Sequence, residues 1–67
     1  MIEITVNGAS RRFDTPLEIS RLLDLLELTG KRLAVEVNGE IVPKSQHATT
    51  PLNAGDKLEI VVAVGGG

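Results

Sequence analysis

The residues that most strongly suggest chemistry are three glycines that follow the last hydrophobic stretch. Residues 57–64 are mostly apolar and run directly into Gly65, Gly66 and Gly67. A segment without Cβ atoms can enter a narrow channel that a branched side chain would block, and its carbonyl groups are open to attack. The chemistry that such a segment could carry is a reaction at the main chain, at the last carbonyl group. Taken alone, the glycines fit an inert, frayed end or a cloning scar better. A functional tail is favoured once the glycines are combined with the predicted fold and with the strand that runs directly into them.

The side chains offer little for conventional catalysis. The sequence contains no cysteine, which excludes disulfides, thiolate catalysis and cysteine-based zinc sites. His47 is the single histidine and lies in a polar segment, so we expect an exposed, solvated imidazole that binds no metal. The acidic residues show no pairing motif, and Thr49 and Thr50 beside Pro51 are typical of a turn. No metal site is expected.

Length and composition predict one small globular domain. The 67 residues are 42% hydrophobic and 24% charged, which is near the average for folded proteins. The formal net charge of -2 lacks the basic excess that nucleic-acid binding requires. The longest apolar run, residues 60–64, is far too short to span a membrane, and the first residues do not form a signal peptide. We expect a soluble cytoplasmic protein that binds neither nucleic acid nor membranes.

Alternation of apolar and polar residues predicts two β-hairpins. Ile2, Ile4 and Val6 lie on one face of a first strand, and Asn7-Gly8 then favours a type I′ turn, since both central positions need positive φ. A second Asn-Gly pair, at residues 38–39, predicts the same turn again. The predicted hairpin strands are residues 2–6 with 9–13, and 33–37 with 40–42.

One helix is predicted between the hairpins. Thr15 is placed to cap the first free amides, Pro16 suits the first helical position, and Glu18 completes a capping box. Apolar residues recur at helical spacing over residues 19–26, and Gly30 offers a left-handed stop. We therefore expect a helix that begins near Thr15, ends by Gly30 and lies with its apolar face on a sheet.

The remaining chain completes the sheet. Residues 43–56 are predicted as an irregular connection with one helical turn, and residues 57–64 as a strand whose two faces become apolar, which is typical of a central strand or of a partner-binding face. The simplest closure is one helix on a mixed sheet of four or five strands, with the first and last strands parallel neighbours. This is the α+β, β-grasp arrangement: one domain over residues 1–64 and a flexible glycine-rich tail over 65–67.

Three segments carry a resemblance that spans essentially the whole chain. They are Val-Asn-Gly-Glu-Ile-Val-Pro at residues 37–43, Gly-Asp at residues 55–56, and the apolar run from Ile60 into the final glycines. With the short length, these segments resemble the small sulfur carrier proteins of thiamine biosynthesis, within the ubiquitin-like β-grasp superfamily. The terminal diglycine alone is shared by ubiquitin-like proteins in general.

The resemblance implies a protein co-substrate that carries sulfur, not an enzyme, and no bound cofactor. In the family, an adenylyltransferase similar to ubiquitin-activating enzymes uses ATP to convert the terminal carboxylate, here that of Gly67, to an acyl-adenylate. Sulfur that a desulfurase releases from cysteine replaces AMP, which leaves a thiocarboxylate. Thiazole synthase accepts this sulfur. Gly65 and Gly66 would then thread the partners' active sites.

The expected docking surface is the outward face of the last strand. Glu59, Val61 and Ala63 alternate onto that face, with burial against neighbouring strands as the alternative. Two other functions stay open. One is a sulfur carrier for molybdopterin or another sulfurated product, which differs only in the acceptor enzyme. The other is a non-catalytic β-grasp interaction module with an inert tail.

Overall fold

The computed structural model describes residues 1–63; Val64 and the predicted tail of Gly65, Gly66 and Gly67 lie outside the described residues. The elements follow in the order β1 (Ile2–Val6), β2 (Ala9–Phe13), α1 (Ile19–Leu25), β3 (Leu33–Val37), β4 (Glu40–Val42), a 3₁₀ helix (Lys44–Gln46) and β5 (Lys57–Val62). The strands form one sheet in the order β2-β1-β5-β3-β4. β1 and β5 are parallel, and the other pairs are antiparallel. The predicted β-grasp fold is confirmed.

Both predicted hairpins are confirmed with their boundaries. Asn7 and Asn38 have φ of 50° and 52°, and the glycine after each is also left-handed, as a type I′ turn requires. The last strand begins at Lys57 as predicted but ends at Val62, earlier than the prediction. Ala63 still donates its N–H to the carbonyl of Arg32 at 2.8 Å, so the pairing with the chain before β3 continues past the end of β5.

The core lies between α1 and one face of the sheet. α1 buries Ile19, Leu22 and Leu23 against this face, and each fully buried aliphatic side chain contributes about 1.5–3 kcal/mol. The connection before β5 also enters the core through Leu52, which is 1% exposed. The largest fully buried side chains are Ile4, Ile19, Leu22, Leu52, Leu58 and Val35. Phe13, the single aromatic residue, is only partly buried at the edge of this cluster.

The helix begins later than predicted, and the predicted capping box over residues 15–18 is wrong. α1 starts at Ile19, and no side chain caps it. Its first amides instead bond to the connection before β5: Ile19 N–H donates to the Thr50 carbonyl at 3.2 Å, and Ser20 N–H to the His47 carbonyl at 3.0 Å. Because a distant loop satisfies these amides, local cap residues are not needed.

The helix also ends before Gly30, the predicted stop. Glu27 takes the left-handed position, with φ of 60°. Its N–H donates to the Asp24 carbonyl at 3.1 Å, and the Leu28 N–H donates to the Leu23 carbonyl at 2.8 Å. This pair of bonds is the Schellman motif, in which glycine is the usual left-handed residue. A glutamate there costs conformational energy that glycine would not.

Replacement of Glu27 by glycine will therefore stabilise the domain. We expect Glu27→Gly to raise the free energy of unfolding by roughly 0.5–1 kcal/mol, measured by urea denaturation. The matched control is Arg21→Gly at an exposed position inside α1, which should lower it by about 1 kcal/mol. A loss of stability in Glu27→Gly would contradict this account of the helix end.

Candidate functional site

β5 is the strand that leads to the glycines, and it lies at the centre of the sheet. One side of it pairs with β1 in parallel, at Thr5–Lys57 and Val6–Leu58. The other side pairs with β3 in antiparallel orientation along the whole of β3. Its core-facing side chains at Leu58 and Ile60 are buried. The position from which the chain leaves the sheet toward Gly65, Gly66 and Gly67 is therefore fixed by two neighbours and the core.

The Asn7 side chain continues the pairing of β5 where β1 stops. Ile60 N–H donates to Asn7 Oδ1 at 2.7 Å, and Asn7 Nδ2 donates to the Ile60 carbonyl at 3.0 Å. A side-chain amide thus supplies both the acceptor and the donor that a further strand residue would supply. The Asn7 N–H also donates to the Leu58 carbonyl at 2.9 Å. The first Asn-Gly turn therefore holds the middle of β5 as well as reversing the chain.

Asn38, in the second Asn-Gly turn, holds the beginning of β5. Lys57 N–H donates to Asn38 Oδ1 at 3.0 Å, and Asn38 N–H donates to the Lys57 carbonyl at 2.7 Å. Asn38 Nδ2 donates in turn to Asp56 Oδ1 at 3.0 Å. The turns at the ends of both hairpins thus contact one strand, at its first residue and near its middle.

The predicted docking surface lies on the face of β5 opposite the helix. Glu59, Val61 and Ala63 are all exposed there, and Val61 is 62% exposed. The alternative, burial of Val61 against neighbouring strands, is excluded by this exposure. Val62 faces the other way, toward the helix side, and is still 37% exposed. That these residues dock a partner stays a prediction.

His47 is buried, so the prediction of an exposed, solvated imidazole is wrong. The side chain is 6% exposed, and its Nε2 lies 3.0 Å from the Val42 carbonyl. Because a carbonyl only accepts hydrogen bonds, Nε2 is the donor. The backbone carbonyl of His47 accepts the Ser20 N–H at the start of α1. The residue joins the connection before β5 to both β4 and the helix, which is a structural role that local polarity did not indicate.

The described part of the chain offers no other centre for chemistry. Within residues 1–63, no group of three or more His, Cys, Asp or Glu side chains is placed to hold a metal ion. No helix in this part is long and apolar enough to cross a membrane. Gly65, Gly66 and Gly67, the candidate reactive segment, lie outside the described residues.

Comparison with known proteins identifies the family. The model of the ThiS family matches residues 4–67, which include β5 and all three glycines. The chain belongs to the ThiS family. This confirms the family resemblance that the segments at residues 37–43 and 60–67 carried in the sequence.

Two curated relatives of this ThiS-family chain differ greatly in length. A thiazole synthase of Paramagnetospirillum magneticum is 44% identical over 66 residues, which cover 98% of this chain and 20% of that protein. This chain therefore spans about a fifth of the length of that relative. The uncharacterized protein ycf40 of Porphyra purpurea is 36% identical over 66 residues, which cover 98% of this chain and 93% of ycf40.

Solved structures agree with the ThiS-family fold. The crystal structure of the thiamine biosynthesis protein (ThiS) from Geobacter metallireducens matches with a TM-score of 0.83 at 30% identity, over 98% of this chain and 100% of that chain. An NMR solution structure of a thiamine biosynthesis protein from the same organism matches with a TM-score of 0.80 at 30% identity, over 98% of this chain and 88% of that one. The helix and five-stranded mixed sheet are thus the fold of ThiS.

Loss of the Asn7 amide will loosen β5. Asn7→Gly keeps a residue that accepts positive φ but removes both side-chain bonds to Ile60, so we expect a loss of about 1–2 kcal/mol in the free energy of unfolding. Hydrogen exchange at the Ile60 amide should become faster in the same variant. Asn53→Gly is the control for the cost of a glycine alone, because the Asn53 side chain makes no hydrogen bond within residues 1–63 and its φ is not positive. It should leave exchange at the Ile60 amide unchanged. An unchanged exchange rate at the Ile60 amide in Asn7→Gly would show that the Asn7 contacts do not hold β5.

Proposed function

We propose that this chain carries sulfur for thiamine biosynthesis on the main-chain carboxylate of Gly67, as a protein co-substrate and not as an enzyme. Membership of the ThiS family supports a sulfur carrier role in thiamine biosynthesis, and so does similarity to a thiamine biosynthesis protein of known structure. The observation that carries the proposal is the family match over residues 4–67, because it takes in the glycines together with the strand that leads to them.

The proposed chemistry begins with activation of a poor electrophile. An oxygen of the Gly67 carboxylate attacks the α-phosphorus of ATP on an adenylyltransferase, pyrophosphate leaves, and an acyl-adenylate forms. The terminal sulfur of a persulfide, formed from cysteine by a desulfurase, then attacks the carbonyl carbon, and AMP leaves with its bonding electrons. A thiol next cleaves the S–S bond of the resulting acyl disulfide and takes the second sulfur into a new disulfide. The product is a thiocarboxylate, whose soft nucleophilic sulfur suits transfer to a thiazole synthase. Similarity to a thiazole synthase supports that protein as the acceptor.

The body of the domain supplies position and contact in this scheme. The side chains of Gly65 and Gly66 are single hydrogen atoms, so the tail would enter a narrow active site without steric conflict. Ordering such a tail costs about 1–2 kcal/mol per residue, which contacts elsewhere must offset. The exposed face formed by Glu59, Val61 and Ala63 lies just before the tail and is the proposed source of those contacts.

Mass spectrometry tests the carrier function directly. After incubation with the adenylyltransferase, ATP and a sulfur source, the mass of the intact protein should rise by the difference between one sulfur and one oxygen atom. The proposal requires a free carboxylate on Gly67, and the mass of the natural protein before incubation tests that requirement. A variant that lacks Gly66 and Gly67 should gain no sulfur. Removal of Gly67 alone is a poorer control, because Gly65 and Gly66 would still form a diglycine end.

Absence of the mass change would overturn the proposal, provided that the same adenylyltransferase charges another carrier in a parallel reaction. A mass change that also appears in the variant without Gly66 and Gly67 would place the sulfur elsewhere in the chain.

A charge on the exposed face of β5 should interfere with docking. Val61→Glu should slow adenylation roughly tenfold, because a carboxylate would have to be desolvated in an apolar contact. The circular dichroism spectrum should stay that of the folded protein, since Val61 is 62% exposed. Leu25→Glu, at a 48% exposed position on α1, is the matched control and should be adenylated normally. Equal rates for both variants would remove Val61 from the docking surface.

A further inference from the structure

The outer face of the sheet, opposite α1, places two glutamates directly beside each other. The β3–β5 register pairs Glu36 with Glu59. Two positions further along the same register, Asn38 lies opposite Lys57, and the Asn38 N–H donates to the Lys57 carbonyl at 2.7 Å. The two glutamates therefore occupy a hydrogen-bonded pair of positions on one face, where Cβ atoms are about 4.5–5.5 Å apart. The two side chains therefore carry like charges at directly opposed strand positions.

Glu3, on the same face of the sheet, shows how a carboxylate can be neutralised within the chain. Ser10 Oγ donates to Glu3 Oε2 at 2.7 Å, and Arg12 Nε lies 3.4 Å from the same oxygen. The hydrogen bond from Ser10, followed by the hydrogen bond and charge of Arg12, lowers the pKa of Glu3. The free chain thus satisfies this carboxylate by itself.

Glu36 and Glu59 have no equivalent partner within residues 1–63. Within that part of the chain, Arg12 and Glu3 form the only ion pair whose charged atoms lie within 4 Å of each other. Lys57 lies on the same face of β5 as Glu59 but is not within ion-pair distance of it. Like charges at directly opposed strand positions destabilise a sheet. The Glu36–Glu59 pair is therefore a cost to the free chain, and a cation placed between the two carboxylates would remove that cost.

Exposed apolar side chains surround the glutamate pair. Ile41 lies beside Glu36 in the β3–β4 register and is 70% exposed. Val61 follows Glu59 on the same face of β5 and is 62% exposed. Exposed apolar groups beside charged groups are typical of the border between the apolar core of a protein interface and its polar rim.

We propose that Glu36 and Glu59 together form the recognition site for one arginine or lysine side chain of the protein that docks on this face. The inference rests on the proposed function, in which that protein is the adenylyltransferase. The partner's apolar surface contacts Val61 and Ile41, and its cation lies between the two carboxylates. Arginine suits the site best, because its planar guanidinium donates in two directions at once.

The same pair provides specificity. A partner that covered Glu36 and Glu59 without supplying a cation would desolvate two adjacent negative charges, which is strongly unfavourable. Proteins that present only an apolar surface are thereby rejected. The repulsion within the free chain and the selection of a cationic partner are two consequences of one arrangement.

The test separates stability from binding. Glu36→Gln and Glu59→Gln each remove the repulsion, so each should raise the melting temperature of the free protein by about 1–5 °C. Each should also weaken binding to the adenylyltransferase about tenfold, measured by isothermal titration calorimetry without ATP. The affinity of each glutamine variant for the adenylyltransferase should depend less on ionic strength than the affinity of the unmodified chain. A merely structural role for the glutamates would not raise stability while lowering affinity.

Glu40→Gln is the matched control. It changes the net charge equally and lies in the same hairpin, but Glu40 pairs with Val37 and so lies on the opposite face of β4 from Ile41. It should bind the adenylyltransferase like the unmodified chain. A lower melting temperature in the Glu36 and Glu59 variants, or affinities equal to that of Glu40→Gln, would overturn the inference.

The two proposals fail in different ways. If the unmodified chain gains sulfur and both glutamine variants bind as tightly as it does, the carrier function stands and the recognition site does not. If the unmodified chain is neither bound nor charged by an adenylyltransferase that charges another carrier, both proposals are wrong.

Discussion

The placement of β5 depends on two asparagine side chains from the hairpin turns. Asn38 holds its first residue and Asn7 holds Ile60, each through hydrogen bonds that a neighbouring strand would otherwise make. An isolated hairpin is marginal in water, so both hairpins gain stability when β5 joins them and α1 packs on the sheet. The same contacts that complete the sheet also fix where the chain leaves it. In this fold, the contacts that assemble the sheet also fix the position of the last described residues before the tail.

The two faces of β5 contribute to different properties. Leu58 and Ile60 are buried under α1 and supply stability. Glu59 and Val61 point to the other face and contribute little to the core. Glu59 is also one of the two glutamates that oppose each other across β3 and β5. Because the period of a strand is two, these roles alternate along one short segment without conflict. A domain of this size can therefore carry an unfavourable surface feature as long as the opposite face remains fully packed.

The sequence predicted the strands well because their signals are local. Alternation and an Asn-Gly pair specify a hairpin within a few residues, and both hairpins are found where predicted. The helix ends and His47 were predicted wrongly because distant groups decide them: Thr50 and His47 carbonyls satisfy the first helical amides, and the Val42 carbonyl holds the imidazole. The apposition of Glu36 and Glu59 likewise needs the β3–β5 register, which no local pattern gives. The second role of each Asn-Gly turn was missed for the same reason.

A reactive group on the main chain changes what the rest of the protein must do. Catalytic side chains have to be held by a rigid surrounding shell, whereas a terminal carboxylate needs only a tether and a surface that docks. On the proposed function, no side chain of this domain has to react. The single histidine is then free to pack between the connection and β4, and the glycines need no side-chain chemistry. On the same proposal, charge placement on the outer face of the sheet decides which proteins can reach the tail. On the proposed recognition site, the Glu36–Glu59 pair expresses that constraint directly, since it is costly in the free chain and useful in a complex.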